Sequence, residues 1–404
     1  MADMTRSPTF FVPADRARHV LEDFQRREQN LAEEYQKYKP LCMNARAYQK
    51  THPSKLRMGH KDADATLTSP VLIGVADGVS QVEDFGIDAS ELPHELLRVC
   101  EELAMQCLIP GVPVAPQDAY RGPIPLLRDA FEATECLGST TIVLAILDNS
   151  TQIHGKLHPM VAVITIGDCE LLLLRRLNRQ SGALQAVFHT EMQRIDGHCQ
   201  QPLQLARVDH RIDPDFKESI TIEVIERGSA VHCISAYEGD ILVMGSDGVF
   251  DNLFLDEIVE TCNSMMPPRS GKFQPTNEAL LALIAQRIVN QCHAKTQRGK
   301  NGQMPDTPIG RGGKMDDTSI VVAEVVAWTE DHKSHYASRN TGWGWDLLMC
   351  GSSVNCSADK DESRYEYEDE MMPAYHRPAH RKPRRAPATA DDDEDDDDLR
   401  CSVS

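Results

Sequence analysis

Four short segments of this chain carry aspartate where carboxylates could be gathered into one site. They read Ile73-Gly74-Val75-Ala76-Asp77-Gly78-Val79, Thr165-Ile166-Gly167-Asp168, Val243-Met244-Gly245-Ser246-Asp247-Gly248-Val249-Phe250-Asp251 and Gly313-Lys314-Met315-Asp316-Asp317. An apolar, β-rich run that stops at Asp-Gly puts a carboxylate at the rim of a sheet, with a permissive turn behind it. One such block is an ordinary hairpin. Four blocks spread from residue 73 to residue 317 describe carboxylates collected from distant strands, and oxygen ligands of that kind suit Mg²⁺ or Mn²⁺. Just upstream, Lys61-Asp62-Ala63-Asp64-Ala65 offers two more carboxylates, which share a face if the segment is a strand.

The elements that must position these groups can be read from periodicity. A strand is expected at about 71–76, then a helix at about 88–107 with Leu92, Leu96, Val99 and Leu103 as its apolar stripe. Pro110 to Pro125 reads as a loop. Val/Ile/Leu-rich strands follow at 141–147, 160–166, 170–176, 184–189 and 241–245, and helices at about 255–265 and 276–294. A Gly/Lys/Pro-rich loop spans Ala294 to Lys314, and Ser319 to Val326 closes the set as a strand. Pro53 begins an extended stretch, and residues 14–38 have the spacing of an amphipathic helix. Many short strands with a few helices describe an α+β layered domain.

These blocks, in this order and context, resemble the PPM-type (type 2C) metal-dependent serine/threonine protein phosphatases. More narrowly, they resemble the compact subgroup in which Val rather than His follows the first Asp-Gly. The likeness continues through Phe85-Gly86-Ile87-Asp88-Ala89-Ser90 and Leu96-Leu97-Arg98-Val99-Cys100-Glu101. It resumes at Leu137-Gly138-Ser139-Thr140-Thr141, Gln201-Pro202-Leu203-Gln204-Leu205 and Asp251-Asn252-Leu253, and covers about residues 52 to 327. It implies a four-layer sandwich of two antiparallel β-sheets flanked by helices, with two metal ions in a cleft at one end.

The resemblance also implies roles. Asp77 bridges the ions, the Gly78 carbonyl ligates one, and Asp247 and Asp316 complete the second site. Asp168 supports water on a metal or a weaker third ion. Counting from His52-Pro53-x-Lys55 selects Asp62 as the remaining ligand, while the repeated Asp-Ala keeps Asp64 open. Arg57 is the candidate for gripping phosphate, with a solvated loop arginine as its other reading. Val79 stands where many relatives place an imidazole, so the general acid is unassigned. Asp251 either touches the site or caps the helix that follows. The Gly138-Ser139-Thr140-Thr141 block is expected to be structural, Gly ending a helix and the β-branched run opening a strand.

The chemistry implied is hydrolysis of phosphoserine or phosphothreonine in protein substrates by a metal-activated water, with Mg²⁺ or Mn²⁺ as cofactor. A loose phosphoryl-transfer transition state needs positioning and electrostatics rather than a covalent nucleophile. The alternative from a different class is a weak or inactive phosphatase-like scaffold tethered by its tail. A pseudoenzyme should have lost Asp77, Asp247 or Asp316, and all are present.

Composition narrows the partners. A formal net charge of −20 in 404 residues argues against a nucleic-acid surface. Asp391 to Asp398 is an unbroken acidic run. The 12 cysteines have no paired spacing, which fits a reduced compartment. No segment reaches the ~18 apolar residues of a membrane span. The expectation is a monomer in the cytoplasm or on the cytosolic face of a membrane. The organisation expected is a helical extension at 1–50, a catalytic domain at 51–328 and a charged, mostly disordered tail at 329–404. That tail ends in Cys401-Ser402-Val403-Ser404, which fits C-a-a-X, so prenylation of Cys401 is an expectation. A basic cluster at 377–385 is its candidate second membrane signal.

Overall fold

The computed structural model describes residues 39–334, apart from 154–155, 178–181, 195–200, 210, 213–216 and 267–272. The strands are β1 (Leu41–Lys50), β2 (Ala65–Thr68), β3 (Leu72–Gly78), β4 (Gly138–Asp148), β5 (Gln152–Ile153), β6 (Lys156–Leu157), β7 (Met160–Ile166) and β8 (Glu170–Arg175). Further on come β9 (Gln185–His189), β10 (Leu205–Arg207), β11 (Ala230–Ser235), β12 (Ile241–Gly245), β13 (Asp306–Thr307), β14 (Gly310–Arg311) and β15 (Thr318–Ala327). The helices are α1 (Pro53–Met58), α2 (Glu91–Leu108), α3 (Pro123–Ala133), α4 (Glu218–Glu223), α5 (Asp247–Phe250), α6 (Leu255–Met265) and α7 (Glu278–Lys295). One antiparallel sheet runs β1-β15-β12-β8-β9. The other runs β11-β7-β4-β3-β2, with β10 added beside β4.

Strand periodicity sorts the core into layers. In β4, Ile142, Leu144 and Ile146 pack with Leu96, Leu97 and Cys100 of α2 and with Leu127 and Phe131 of α3. The intervening Val143, Ala145 and Leu147 pack instead against Leu171, Leu173, Leu242, Met244 and Val321 of the other sheet. That sheet in turn sends Ile241, Val243, Ile320 and Val322 outward onto Ile258 and Cys262 of α6 and Leu281, Ile284 and Ile288 of α7. Side chains alternate across a strand, so a sheet buried on both faces reads as a continuous apolar run. Helix, sheet, sheet and helix therefore stack as four layers. Each fully buried Leu or Ile contributes about 1.5–3 kcal/mol.

Strands β7 and β12 and helix α6 stand where the periodicity predicts them. Other elements differ. The domain's first described strand, β1, pairs along its whole length with β15, from Leu41 opposite Ala327 to Lys50 opposite Thr318. The expected boundary at residue 51 thus cuts through the sheet domain, which already includes Leu41. Pro53 opens helix α1 rather than an extended stretch: His52 accepts a hydrogen bond from Ser54 N, and Gly59 ends the helix in the left-handed region at φ 84°. The Pro-rich loop is shorter than expected because Pro123 starts α3. Gly138 does not end that helix; Thr134 caps it, and Gly138 opens β4. The 14–38 helix and the tail beyond residue 334, with Cys401 and the basic cluster, lie outside the described residues. No helix among the described residues is long and apolar enough to cross a membrane.

Candidate metal centre

The Asp blocks meet at one end of the sandwich because the sheets are antiparallel. Asp77 lies at the end of β3, and Asp247 follows β12. Asp316 and Asp317 precede β15, so the fourth block stands at a strand's beginning rather than its end. Gly245, just before Asp247, pairs with Ile320, just after Asp317, which brings the two blocks side by side. Asp168 sits in the turn that carries the chain from β7 in one sheet to β8 in the other.

The glycines of these blocks matter for close approach. A Cβ on Gly78 would lie 2.3 Å from the Ala89 carbonyl oxygen and 2.6 Å from that of Ala63. Gly78 N donates to that Ala63 carbonyl at 3.2 Å, pinning the 62–64 segment against the end of β3. This segment precedes β2 and is not a strand. Asp62 Oδ1 accepts from Asp64 N at 3.1 Å, a local turn that delivers both carboxylates to the same place. Gln49 of β1 secures it by donating to the Asp64 carbonyl at 2.8 Å.

Asp62, Asp64 and Asp317 each offer an oxygen within 4.8 Å of the others. Lys55 binds Asp317 at 2.6 Å and Asp316 at 2.8 Å. Lys314 binds Asp316 at 2.9 Å and also Asp247. Four oxygens of this group are buried without a partner: both of Asp64, Oδ1 of Asp247 and Oδ1 of Asp317. A buried carboxylate oxygen left unpaired is costly.

The charges are correspondingly strained. Burial pushes the Asp64 carboxyl well above the usual range, and Asp62 and Asp317 push it further. The neighbouring Ser319 hydroxyl tempers this without completing a hydrogen bond. Asp77 is raised well above its usual range by burial of its carboxyl and then by Asp64, Asp247 and Asp316. Asp247 is pushed up to about 7, chiefly by burial, despite Lys314. Asp316 goes the other way: burial would raise it, but Lys314 and Lys55 outweigh that and hold it at about 2. Clustered hard-oxygen donors with unpartnered lone pairs and excess negative charge fit divalent Mg²⁺ or Mn²⁺.

Asp168 lies beside this group. Arg194 Nε donates to Asp168 at 3.1 Å and Nη2 to Asp251 at 2.8 Å, so Asp251 is drawn toward the site. Arg57, by contrast, is exposed on α1. It stands two residues from Lys55, a spacing that places the two on different helix faces. Lys55, Lys314, Asp317 and Arg194 are the residues that motif reading passed over as functional. Lys55 and Lys314 lay inside quoted blocks, but a lysine beside carboxylates has no spacing signature of its own.

One nucleophile pattern is set aside by the geometry. Cys169 and Arg175 have the Cys-x₅-Arg spacing, but Glu170–Arg175 is strand β8. The Cys169 thiol is buried and held well above its usual range, first by burial and then by Asp77. Arg175 is engaged by Asp240 at 2.7 Å. An extended strand cannot cup a phosphate.

The chain is 27% identical over 309 residues to the probable protein phosphatase 2C 55 of Arabidopsis thaliana, covering 73% of this chain and 54% of that protein. It is 28% identical over 287 residues to the Arabidopsis probable protein phosphatase 2C 26, covering 68% of this chain and 81% of the relative. It is 26% identical over 282 residues to the protein phosphatase PTC7 homolog of Xenopus laevis, covering 67% and 80%. The chain is thus similar to proteins named as PPM-type (type 2C) phosphatases. No family model matches it. The structure brings together Asp62, Asp64, Asp77, Gly78, Asp247 and Asp316, the candidate ligands named from the sequence, with Asp317 beside them.

Proposed function

We propose that this protein hydrolyses phosphoserine and phosphothreonine in protein substrates, using Mg²⁺ or Mn²⁺ held by the carboxylate group at the end of the sandwich. The observation that carries this reading is the convergence of six aspartates, three of which have buried, unpartnered oxygens. Asp77, Asp247 and Asp316 would hold one ion, and Asp77 with the Gly78 carbonyl the other, with Asp62 or Asp64 nearby. Bound divalent ions supply a nucleophile from water at neutral pH and neutralise charge on the phosphoryl group.

The protein's own residues do the rest. Lys55 and Lys314 orient Asp316, Asp317 and Asp247. Arg194 fixes Asp168 at the edge and supplies positive charge there. Burial and like charges raise Asp64 and Asp77, so cation uptake competes with protons at these carboxyls and affinity should rise with pH.

The test is phosphate release from a phosphothreonine peptide by the wild type and Asp247→Asn, with Mn²⁺ and with EDTA. Turnover that needs Mn²⁺ and vanishes in the variant supports the reading. Equal turnover in EDTA, or none at all despite Mn²⁺ binding, would sink it.

A further inference from the structure

Positive charge is unevenly placed in this acidic chain, and it gathers beside the carboxylate centre. The whole chain has 62 Asp and Glu against 42 Lys and Arg, yet the segment from Lys295 to Lys314 carries Lys295, Arg298, Lys300, Arg311 and Lys314 against the lone acid Asp306. It forms a small lobe between α7 and β15, built around the β13–β14 hairpin. Gly313 N donates to the Lys295 carbonyl at 3.0 Å and closes the base of the lobe. Inside it, Gly312 N donates to the Pro305 carbonyl and Gly299 N to that of Gln303, each at 2.8 Å.

The lobe is fastened to the centre at both stems. On one side Lys314 N donates to Asn252 Oδ1 at 2.7 Å, and the Lys314 ammonium binds Asp247 and Asp316. On the other, Thr296 Oγ1 lies 3.0 Å from His52 Nε2, just before α1, the helix that sends Lys55 to Asp316. Arg311 is three residues from Lys314, so its backbone stands within about 11 Å of that residue. Met315, between Lys314 and Asp316, is exposed and offers an apolar contact to a chain passing from the centre to the lobe.

The outward cations are uncommitted. Arg298 and Lys300 are exposed and have no carboxylate partner among the described residues; Arg298 donates only to the Gly302 carbonyl, at 2.9 Å. Arg311 meets Asp306 at 3.7 Å, with both side chains open to water. The acids that follow the first Asp-Gly block are placed differently: Glu83 has His60 beside it, and Asp88 has Lys61 at 2.8 Å.

We propose that the 295–314 lobe is a substrate-docking surface, and that it selects protein segments with acidic residues about two to five positions from the phosphoresidue. This deepens the phosphatase reading above and rests on it. An extended chain advances about 3.3 Å per residue, so a segment held by its phosphoryl group at the carboxylate centre lays such residues about 7–17 Å away, over the lobe. A single exposed ion pair is worth little, so the selectivity comes from several cations acting on several acids.

Phosphothreonine peptides with four aspartates placed before or after the phosphoresidue, compared with an alanine-flanked peptide, test this with the full chain and Mn²⁺. For one of the acidic peptides the wild type should show a KM about tenfold lower than for the alanine peptide, with kcat little changed, and the difference should shrink in high salt. Combining Arg298→Ala with Lys300→Ala should remove most of that preference and leave turnover of the alanine peptide unchanged. Fluorescence anisotropy with the unphosphorylated acidic peptide reads the same surface without turnover, and binding should weaken by a similar factor in the double variant. Equal KM for all peptides, a preference untouched by the double variant, or equal binding of an oligonucleotide of the same charge would each overturn the proposal. Selective peptide binding with no turnover of any peptide would sink the phosphatase reading alone.

Discussion

Gly248 packs so closely on Asp317 that a Cβ at Gly248 would lie 2.0 Å from the Asp317 carbonyl oxygen. The Asp-Gly pair after β12 is thus in contact with the Asp-Asp pair before β15, and the contact tolerates no side chain. Gly248→Ala must shift the backbone at Asp317, a neighbour of Asp62 and Asp64. Overpacking of this kind costs about 1–3 kcal/mol. Thermal melting should show that loss, and Mn²⁺ titration should show weakened binding. An unchanged melting temperature would contradict the close contact.

Arg194 joins Asp168, 26 residues before it, to Asp251, 57 residues after it. Arg194→Gln would leave two buried carboxylates without their cation. Phosphate release should fall by about tenfold or more, in the range expected for a lost charge-assisted contact of 1.5–3 kcal/mol. The substrate KM should move less than kcat if Arg194 acts by positioning Asp168. Steady-state kinetics at fixed Mn²⁺ separates the two.

Glu170, at the start of β8, is pushed up to about 8 by burial first and by Asp251 next, with Arg194 opposing. The folded chain therefore keeps a proton that the unfolded chain releases near pH 4.5. Between about pH 4.5 and 8 the native state binds more protons, so this group's contribution to stability falls as pH rises through that window. Glu170→Gln should melt higher than the wild type at pH 8.5 in EDTA and show no such advantage at pH 5. A gain of equal size at both pH values would remove the titration argument.

Away from the site, Asp240 accepts two bonds from Arg175 at 2.7 Å and one from Tyr237 N at 2.9 Å, while the guanidinium lies 4.2 Å from the centre of the Tyr237 ring. Asp240→Ala removes the carboxylate that neutralises a buried guanidinium and should cost about 3–5 kcal/mol. Mn²⁺ affinity of the folded fraction should not change. Chemical denaturation and metal titration together check both halves.

The elements that local pattern specifies were legible in the sequence. Continuous apolar runs gave β7 and β12, and helical spacing gave α6, because burial on both faces or on one stripe leaves its mark on every residue. Helix α1 was also written locally, in Pro53 at its first turn and Gly59 just past its end, but an X-Pro step reads equally well as extended chain. Helix α4, Glu-Ser-Ile-Thr-Ile-Glu, alternates like a strand and is helical, with Thr221 buried and its hydroxyl bonded to the Ala206 carbonyl at 2.6 Å. Tertiary contact overrode a weak propensity there.

At the site, the sequence by itself determined the carboxylate inventory and the glycines that let strands approach. It did not determine which charges meet. Lys55 and Asp317 lie 262 residues apart, and only the pairing of β1 with β15 brings them together. Helix α1, which follows β1, then presents Lys55 rather than the exposed Arg57 to the aspartates. Spacing along a chain says which residues share a face within one element, whereas the match between lysine and carboxylate is fixed by the register of strands far apart in sequence.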